Sequence, residues 1–311
     1  MVSARIGVVG ATGAVGRVTL EILEARGYVN VRAFASARSV GTVVGRSTIE
    51  EATSEALCSD EVDLWLFSVG TEASRRLVPT AAASGAVCID KSAAFRLVEG
   101  VPLVVPEVNG DRAHDHSGII ANPNCCAIPL TMALGPLHDA VGLESIRVAT
   151  YQSVSGAGLR SVEDLRAESA DDHALGMDWA FDGVELDEET KLREETRKIL
   201  EIPDLRVSAT CVRVPVVVGH AEAVWVETAE PITPEQAEEV FARAPGLTIV
   251  DGVPRPAGAV GIDDVLVGRV RRDRAAENGL SLFIACDNLR KGAALNAIQI
   301  AEVALSAKAP A

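Results

Sequence analysis

Over the first 125 residues, short β-branched runs alternate with longer segments rich in Ala and Leu, the rhythm of parallel α/β units. Runs at 5–9, 31–35, 64–68, 87–90 and 118–121 predict strands, and 14–26 and 73–84 predict helices between them. The second helix is introduced by Ser68-Val69-Gly70-Thr71 and closed by Gly85, a residue type suited to the left-handed turn that ends helices. Beyond Cys126 the pattern changes. Longer runs at 146–153, 207–212, 220–228, 265–271 and 280–286 predict a mixed sheet, with helices at 126–138, 159–170, 188–200 and 234–244 to cover it. The last helix, 293–307, carries Leu295, Ile298, Ala301, Ala304 and Leu305 as a stripe that needs a surface, and its expected place is back on the first domain.

The predicted architecture is therefore α/β. A Rossmann-type doubly wound nucleotide-binding domain (1–125 with 289–311) is joined to an α+β catalytic domain with a mixed sheet (126–288). A chain of 311 residues is long enough for two such domains. With 48% hydrophobic and 23% charged residues it has the make-up of a folded protein, and 4% aromatic residues make the core aliphatic. The balance of 29 Lys+Arg against 44 Asp+Glu gives −15, a field that disfavours nucleic acid and anionic membrane surfaces as partners. Six scattered cysteines form no C-x-x-C pair and no dense framework, which fits a reducing cytoplasm better than a disulfide scaffold or zinc ribbon. Neither a secretory-type leader nor a long apolar stretch is expected.

Gly10-Ala11-Thr12-Gly13-Ala14-Val15-Gly16 follows the first strand and opens the first helix, where a pyrophosphate can sit on free backbone amides. Its G-x-x-G-x-x-G spacing departs from the plain dinucleotide fingerprint, so its position in the chain carries the reading. A free ribose 2′-hydroxyl usually meets an acid about 20 residues on. Residues 31–49 contain none; instead the second strand ends in Ser36-Ala37-Arg38-Ser39, a cation between hydroxyls suited to a 2′-phosphate, so NADP is the expected cofactor.

Asn122-Pro123-Asn124-Cys125-Cys126 places a thiol at a helix start, where unpaired amides and the positive dipole end stabilise a thiolate. Cys125 is read as the nucleophile and Cys126 as a buried core residue. Thiolate chemistry on a carbonyl needs an acid/base, and the histidines are His114, His116, His138, His173 and His220. His220 follows Arg213 through a short segment of the same sheet region. His114-x-His116 beside Asp111 and Asp115 lacks a third spaced ligand, and no metal is expected.

With Gly10–Gly16, Asn122-Pro-Asn-Cys125, Tyr151-Gln-Ser-Val-Ser-Gly156, Cys211-Val-Arg-Val-Pro215, Gly219-His220 and the run from Asp287 to Asn296 in that order, the chain resembles the aspartate-semialdehyde dehydrogenase family from end to end. The resemblance implies NADPH-dependent reductive dephosphorylation of β-aspartyl phosphate to aspartate semialdehyde and phosphate, or the reverse. It implies a cytoplasmic enzyme of aspartate-family amino-acid biosynthesis (lysine, threonine, methionine), a homodimer whose second domain carries the dimer contact. Cys125 would form a thioester, His220 would be the general acid/base and Gln152 would orient the carbonyl, with Asn124 beside it. Arg213 would grip the substrate carboxylate, Glu188 its amino group, and Arg96 and Lys191 the phosphate. Gly10, Thr12, Gly13, Ala14, Val15, Ser36, Arg38, Ser39, Ser155, Gly156 and Asn288 would hold NADP.

The chain departs from the family pattern at Lys91, where Asn is usual, at Ala221, where Ser is usual, and in a shorter stretch between Gln152 and Glu188. Two other readings stay open: the same chemistry on another acyl phosphate or an acyl-CoA, and a non-catalytic NADP-binding paralogue. The second is set against the presence of Cys125, Gln152 and His220 together.

Overall fold

The structure, a computed structural model, describes residues 4–58, 61–167 and 187–306. The chain divides into two compact units, Met1–Pro123 with Ala293–Ala311, and Asn124–Gly292.

The first unit is built on β1 (Ile6–Val9), α1 (Ala14–Ala25), β2 (Val31–Ala35), β3 (Val43–Val44), β4 (Ser47–Glu51), α2 (Ser54–Leu57), β5 (Leu64–Phe67), α3 (Thr71–Ala82), β6 (Val87–Asp90), α4 (Pro106–Asn109) and β7 (Ile119–Ala121). The seven strands form one sheet in the order β3-β4-β2-β1-β5-β6-β7, parallel except for the β3/β4 pair. Strand alternation gives the sheet two apolar faces. On β5, Leu64 and Leu66 join the cluster that includes Leu20, Ile22 and Leu23 of α1, while Trp65 and Phe67 join the one that includes Leu77, Val78 and Ala81 of α3. Gly7 belongs to the Trp65 face: a Cβ there would stand 2.3 Å from the indole ring, so the tryptophan occupies the space that the missing side chain leaves. β1 lies between β2 and β5, so the chain direction reverses at its carboxyl end, the switch point where open α/β sheets bind ligands.

The second unit contains α5 (Ala127–Val141), β8 (Leu143–Ser153), α6 (Leu159–Ala167), α7 (Asp187–Leu200), β9 (Arg206–Val214), β10 (His220–Thr228), α8 (Pro234–Arg243), β11 (Leu247–Val250), α9 (Pro256–Ala259), β12 (Val265–Arg272) and β13 (Gly279–Cys286). Its sheet runs β11-β12-β13-β10-β8-β9, antiparallel inside and parallel at the two outer pairs. α5 is buried almost all round and packs with α7 and α8. Residues of alternate parity point the other way: Tyr151, Trp225 and Phe283 share the opposite face, with Tyr151 and Phe283 stacked at 6.0 Å between ring centroids. The chain then enters α10 (Leu295–Ala304), whose Leu295, Ile298 and Ala301 lie in the α1-side cluster of the first unit.

Several boundaries differ from the sequence reading. β3, β4 and β11 are additional, and β8 begins at Leu143, three residues before the apolar run at 146. Residues 168–170 of the helix expected over 159–170, residue 307, and His173 lie outside the described residues. The expected domain boundaries after 125 and 288 stand against unit limits after Pro123 and Gly292. Asn124 and Cys125 go with the second unit because both the backbone and the side chain of Asn124 are tied to α7.

Candidate active site

In the first unit the glycine loop is shaped by contacts that exclude side chains. Gly10 has φ +83° and a Cβ there would lie 2.2 Å from the Ser68 carbonyl oxygen; at Gly16 it would lie 2.2 Å from that of Gly10. Gly10 and Gly13 donate their N–H groups to the carbonyl oxygens of Phe34 and Gly10 and so fix the turn; Gly13 caps α1 without a side-chain hydrogen bond and the first turn holds no acid, which leaves the loop amides of Thr12, Ala14 and Val15 to face an anion. Ser36 and Arg38 are exposed beyond β2, with Ser39 half-buried beside them, and among the described residues Arg38 forms no ion pair. A glycine cradle that a Cβ would fill and a cation without a carboxylate partner fit a dinucleotide carrying a 2′-phosphate.

Arg96 is buried, and its guanidinium donates to the carbonyl oxygens of Asn122 at 3.0 Å and Lys91 at 2.7 Å. Lys91 donates from Nζ to Ser68 Oγ at 2.9 Å and Thr19 Oγ1 at 3.4 Å. Burial pushes its ammonium down to about 7, with the charge of Asp90 acting the other way.

In the second unit Cys125 stands immediately before Cys126, the N-cap of α5. The turn is held from α7 by two glutamates. Asn124 N–H donates to Glu195 Oε2 at 2.6 Å, and Asn124 Nδ2 donates to Glu188 Oε1 at 2.7 Å. Asn124 Oδ1 in turn accepts from Cys126 N–H at 2.8 Å. Cys125 Sγ lies 3.2 Å from His220 Nε2. The Cys126 thiol hydrogen-bonded to it holds the Cys125 thiol well below the usual range, helped by His220 and Arg213 and opposed by burial. Burial and the neighbouring Cys125 push Cys126 the opposite way, so it stays a protonated donor.

β8 and β10 bring Gln152, Ser153 and His220 together. Gln152 Nε2 donates to Glu188 Oε1 at 3.3 Å, while its Oε1 is buried with no partner among the described residues, an acceptor open to a bound molecule. Arg213 donates to the Ser153 carbonyl oxygen at 2.7 Å, and a Cβ at Gly156 would come 3.0 Å from the guanidinium and 3.4 Å from the His220 ring. Lys191 pairs with Asp187 and lies 3.7 Å from Glu188. Asn288 is buried; its Oδ1 accepts from Gly219 N–H at 2.8 Å and Ser153 Oγ at 3.0 Å, and its Nδ2 donates to Ser155 Oγ at 3.0 Å. His116, read as half of a weak metal pair, accepts from Gly118 N–H through Nδ1. The donor atoms of Cys125, Cys126 and His220 instead lie within 4.8 Å of one another.

Three residues escaped the sequence reading: Glu195, Ser153 and Glu222, a fully buried carboxyl pushed well up by burial and by Cys125. Glu195 had a readable signal, since seven residues after Glu188 it returns to the same face of the helix. A thiol held well below its usual range beside an imidazole, an arginine and an open amide oxygen is equipped to form and release an acyl group.

The family described as "Semialdehyde dehydrogenase, NAD binding domain" matches residues 5–116, and "Semialdehyde dehydrogenase, dimerisation domain" matches 134–179 and 180–291. The chain is 45% identical to an aspartate-semialdehyde dehydrogenase of Streptomyces akiyoshiensis, over 96% of this chain and 98% of that one. It is 41% identical to that of Aquifex aeolicus, over 96% and 97%. A crystal structure of aspartate semialdehyde dehydrogenase II from Vibrio cholerae, complexed with ASA, superposes with TM-score 0.90 at 39% identity, covering 96% of this chain and 97% of that one.

Proposed function

Because this chain belongs to the aspartate-semialdehyde dehydrogenase family, we propose that it reduces β-aspartyl phosphate to aspartate semialdehyde and phosphate, reversibly, in the biosynthesis of lysine, threonine and methionine. The observation that carries this is the Cys125 sulfur 3.2 Å from His220 Nε2, with Gln152 and Arg213 around it.

Cys125 Sγ attacks the acyl carbon; the C–S bond forms as the C–O bond to phosphate breaks, and phosphate leaves with the electron pair. His220, as general acid/base, gives or takes the proton on the oxygen of the hemithioacetal through Nε2. Gln152 orients the acyl group, Asn124 fixes the turn that carries the nucleophile, Arg213 takes the substrate carboxylate and Glu188 its ammonium. Arg96 and Lys191 are assigned to the phosphate. NADP(H), when bound, supplies or accepts the hydride. Gly10, Thr12, Gly13, Ala14 and Val15 hold its pyrophosphate, Ser36, Arg38 and Ser39 its 2′-phosphate, and Ser155, Gly156 and Asn288 complete its site.

The protein is a homodimer joined through the outer face of the second sheet, where Tyr151, 37% exposed, lies beside the half-buried Trp225 and Phe283. All six thiols are free, as a cysteine enzyme of the reducing cytoplasm requires. No helix among the described residues is long and apolar enough to cross a membrane.

The test is NADPH formation from aspartate semialdehyde, phosphate and NADP, run beside N-acetylglutamate semialdehyde and an acyl-CoA reductase assay. Phosphate-dependent turnover confined to aspartate semialdehyde supports the reading. Preference for either alternative substrate, or NADP binding without turnover, overturns it.

A further inference from the structure

Glu222 lies on the same side of β10 as His220, two residues along the strand, and is 1% exposed. Neither of its carboxyl oxygens has a nitrogen or oxygen partner among the described residues. Across the sheet it stands between Ile284 of β13 and Thr150 of β8, whose own hydroxyl is buried and likewise unpartnered. Three buried thiols sense its charge and are pushed up by it and by burial: Cys126 at the start of α5, Cys211 on β9 and Cys286 on β13. The cations of this region act elsewhere. His220 and Arg213 bear on Cys125, and Lys291 bears on Cys286. A carboxylate withdrawn from water with neither a cation nor a strong donor beside it is disfavoured so heavily that the group takes up a proton instead.

The group that meets this carboxyl is the Cys126 thiol, and the same thiol meets Cys125. A thiol has a single proton to give. An ionised Glu222 would draw that proton to itself, away from Cys125, and would add its own negative charge behind the nucleophile. A protonated Glu222 does neither. It has a proton of its own for the Cys126 sulfur, and the Cys126 proton is left for Cys125.

We infer that Glu222 is a positioning residue, a neutral carboxylic acid behind Cys126 that turns the Cys126 thiol proton onto the Cys125 sulfur. The order is Glu222 O–H to the Cys126 sulfur and Cys126 S–H to the Cys125 sulfur, with each proton staying on its own residue. His220 and Arg213 reach Cys125 independently of this chain of donors, so the acid/base work of the ring is untouched.

The inference rests on the proposed function only in taking Cys125 as the nucleophile, and its test needs no substrate. An infrared difference spectrum between the protein and Glu222→Gln at neutral pH should show loss of the carbonyl band of a protonated carboxylic acid. Loss of an ionised-carboxylate band instead overturns the inference. Alkylation of Cys125 by iodoacetamide, located by mass spectrometry and followed against pH, should have its midpoint raised by about half to one pH unit in Glu222→Ala, the effect of one weakened hydrogen bond to the sulfur. Glu222→Gln, whose amide is neutral and still donates, should keep the midpoint near that of the unaltered protein. An unmoved midpoint in the Ala variant, or equal shifts for Ala and Gln, overturns the role of the acid proton. Cys126→Ala should raise the midpoint as well, and adding Glu222→Ala to it should change nothing further, because the first substitution has already cut the chain. Additive shifts overturn the relay through Cys126. A protein that gives the predicted alkylation profiles but does not turn over aspartate semialdehyde overturns the functional reading and leaves this one standing.

Discussion

Lys91 is buried in the first unit, and its surroundings determine what its charge does. Its Nζ is satisfied by the hydroxyls of Ser68 and Thr19, and among the described residues no carboxylate lies within ion-pair distance of it. Burial therefore lowers its ionisation from 10.5 to about 7. Below that point folded and unfolded chains are both protonated; between about 7 and 10.5 only the unfolded chain holds the proton. Stability should accordingly rise with pH across that window, and Lys91→Met should flatten the rise in a series of thermal melts. Parallel curves for the two proteins would contradict the assignment. Arg38 is the second cation whose surroundings make a prediction. Arg38→Ala should weaken NADPH by about 10- to 100-fold and NADH far less, the loss expected for a charged hydrogen-bonding partner of a phosphate. Equal loss for both, measured by fluorescence titration, would remove Arg38 from the 2′-phosphate site. At this scale the sequence made the candidate nucleophile legible, because Asn-Pro-Asn-Cys before an apolar helix is a local pattern. Glu195, which holds the backbone of Asn124 before it, and Ser153, which holds the His220 ring beside it, were not legible, because each acts across a contact between elements distant in sequence.

The β1–α1 turn shows how one element can require glycine at some positions and merely tolerate it at another. At Gly16 an added methyl would meet the Gly10 carbonyl at 2.2 Å, whereas at Gly13 its nearest neighbour is that same oxygen at 3.4 Å. Gly16→Ala should cost about 1–3 kcal/mol of stability and most of the NADPH affinity, and Gly13→Ala little stability, its effect falling on the cofactor that the loop approaches. Matched thermal melts and cofactor titrations check this, and equal losses of stability would contradict the reading of the loop. The strands of the first sheet were legible because burial on both faces makes them continuous apolar runs between glycine- and alanine-marked turns. β3 and β4 were not, since two residues of β3 on a hairpin between Gly41 and Gly45 have no periodicity to read. β8 was legible only in its second half. Its first residues, Leu143-Glu144-Ser145, are too polar for an apolar-run criterion and are held by pairing with Thr228 and Glu227 of β10.

Taken as a whole, the molecule supports phosphate and hydride chemistry with two units that each carry their own set of groups. The second sheet also has a face whose aromatic residues Tyr151, Trp225 and Phe283 are incompletely covered within the chain. The protein should behave as a dimer in light scattering, and Trp225→Glu, which sets a charge on that face, should halve the measured mass while the far-ultraviolet circular dichroism is retained. A monomeric wild type, or a variant that stays dimeric, would contradict the interface. The central claim is that Cys125 carries the acyl group. Its most direct measurement is mass spectrometry of the protein mixed with aspartate semialdehyde and NADP in the absence of phosphate. A thioester on Cys125, discharged when phosphate is added and absent from Cys125→Ala, is the predicted result; an adduct on Cys126 or elsewhere, or turnover that survives in Cys125→Ala, would contradict it.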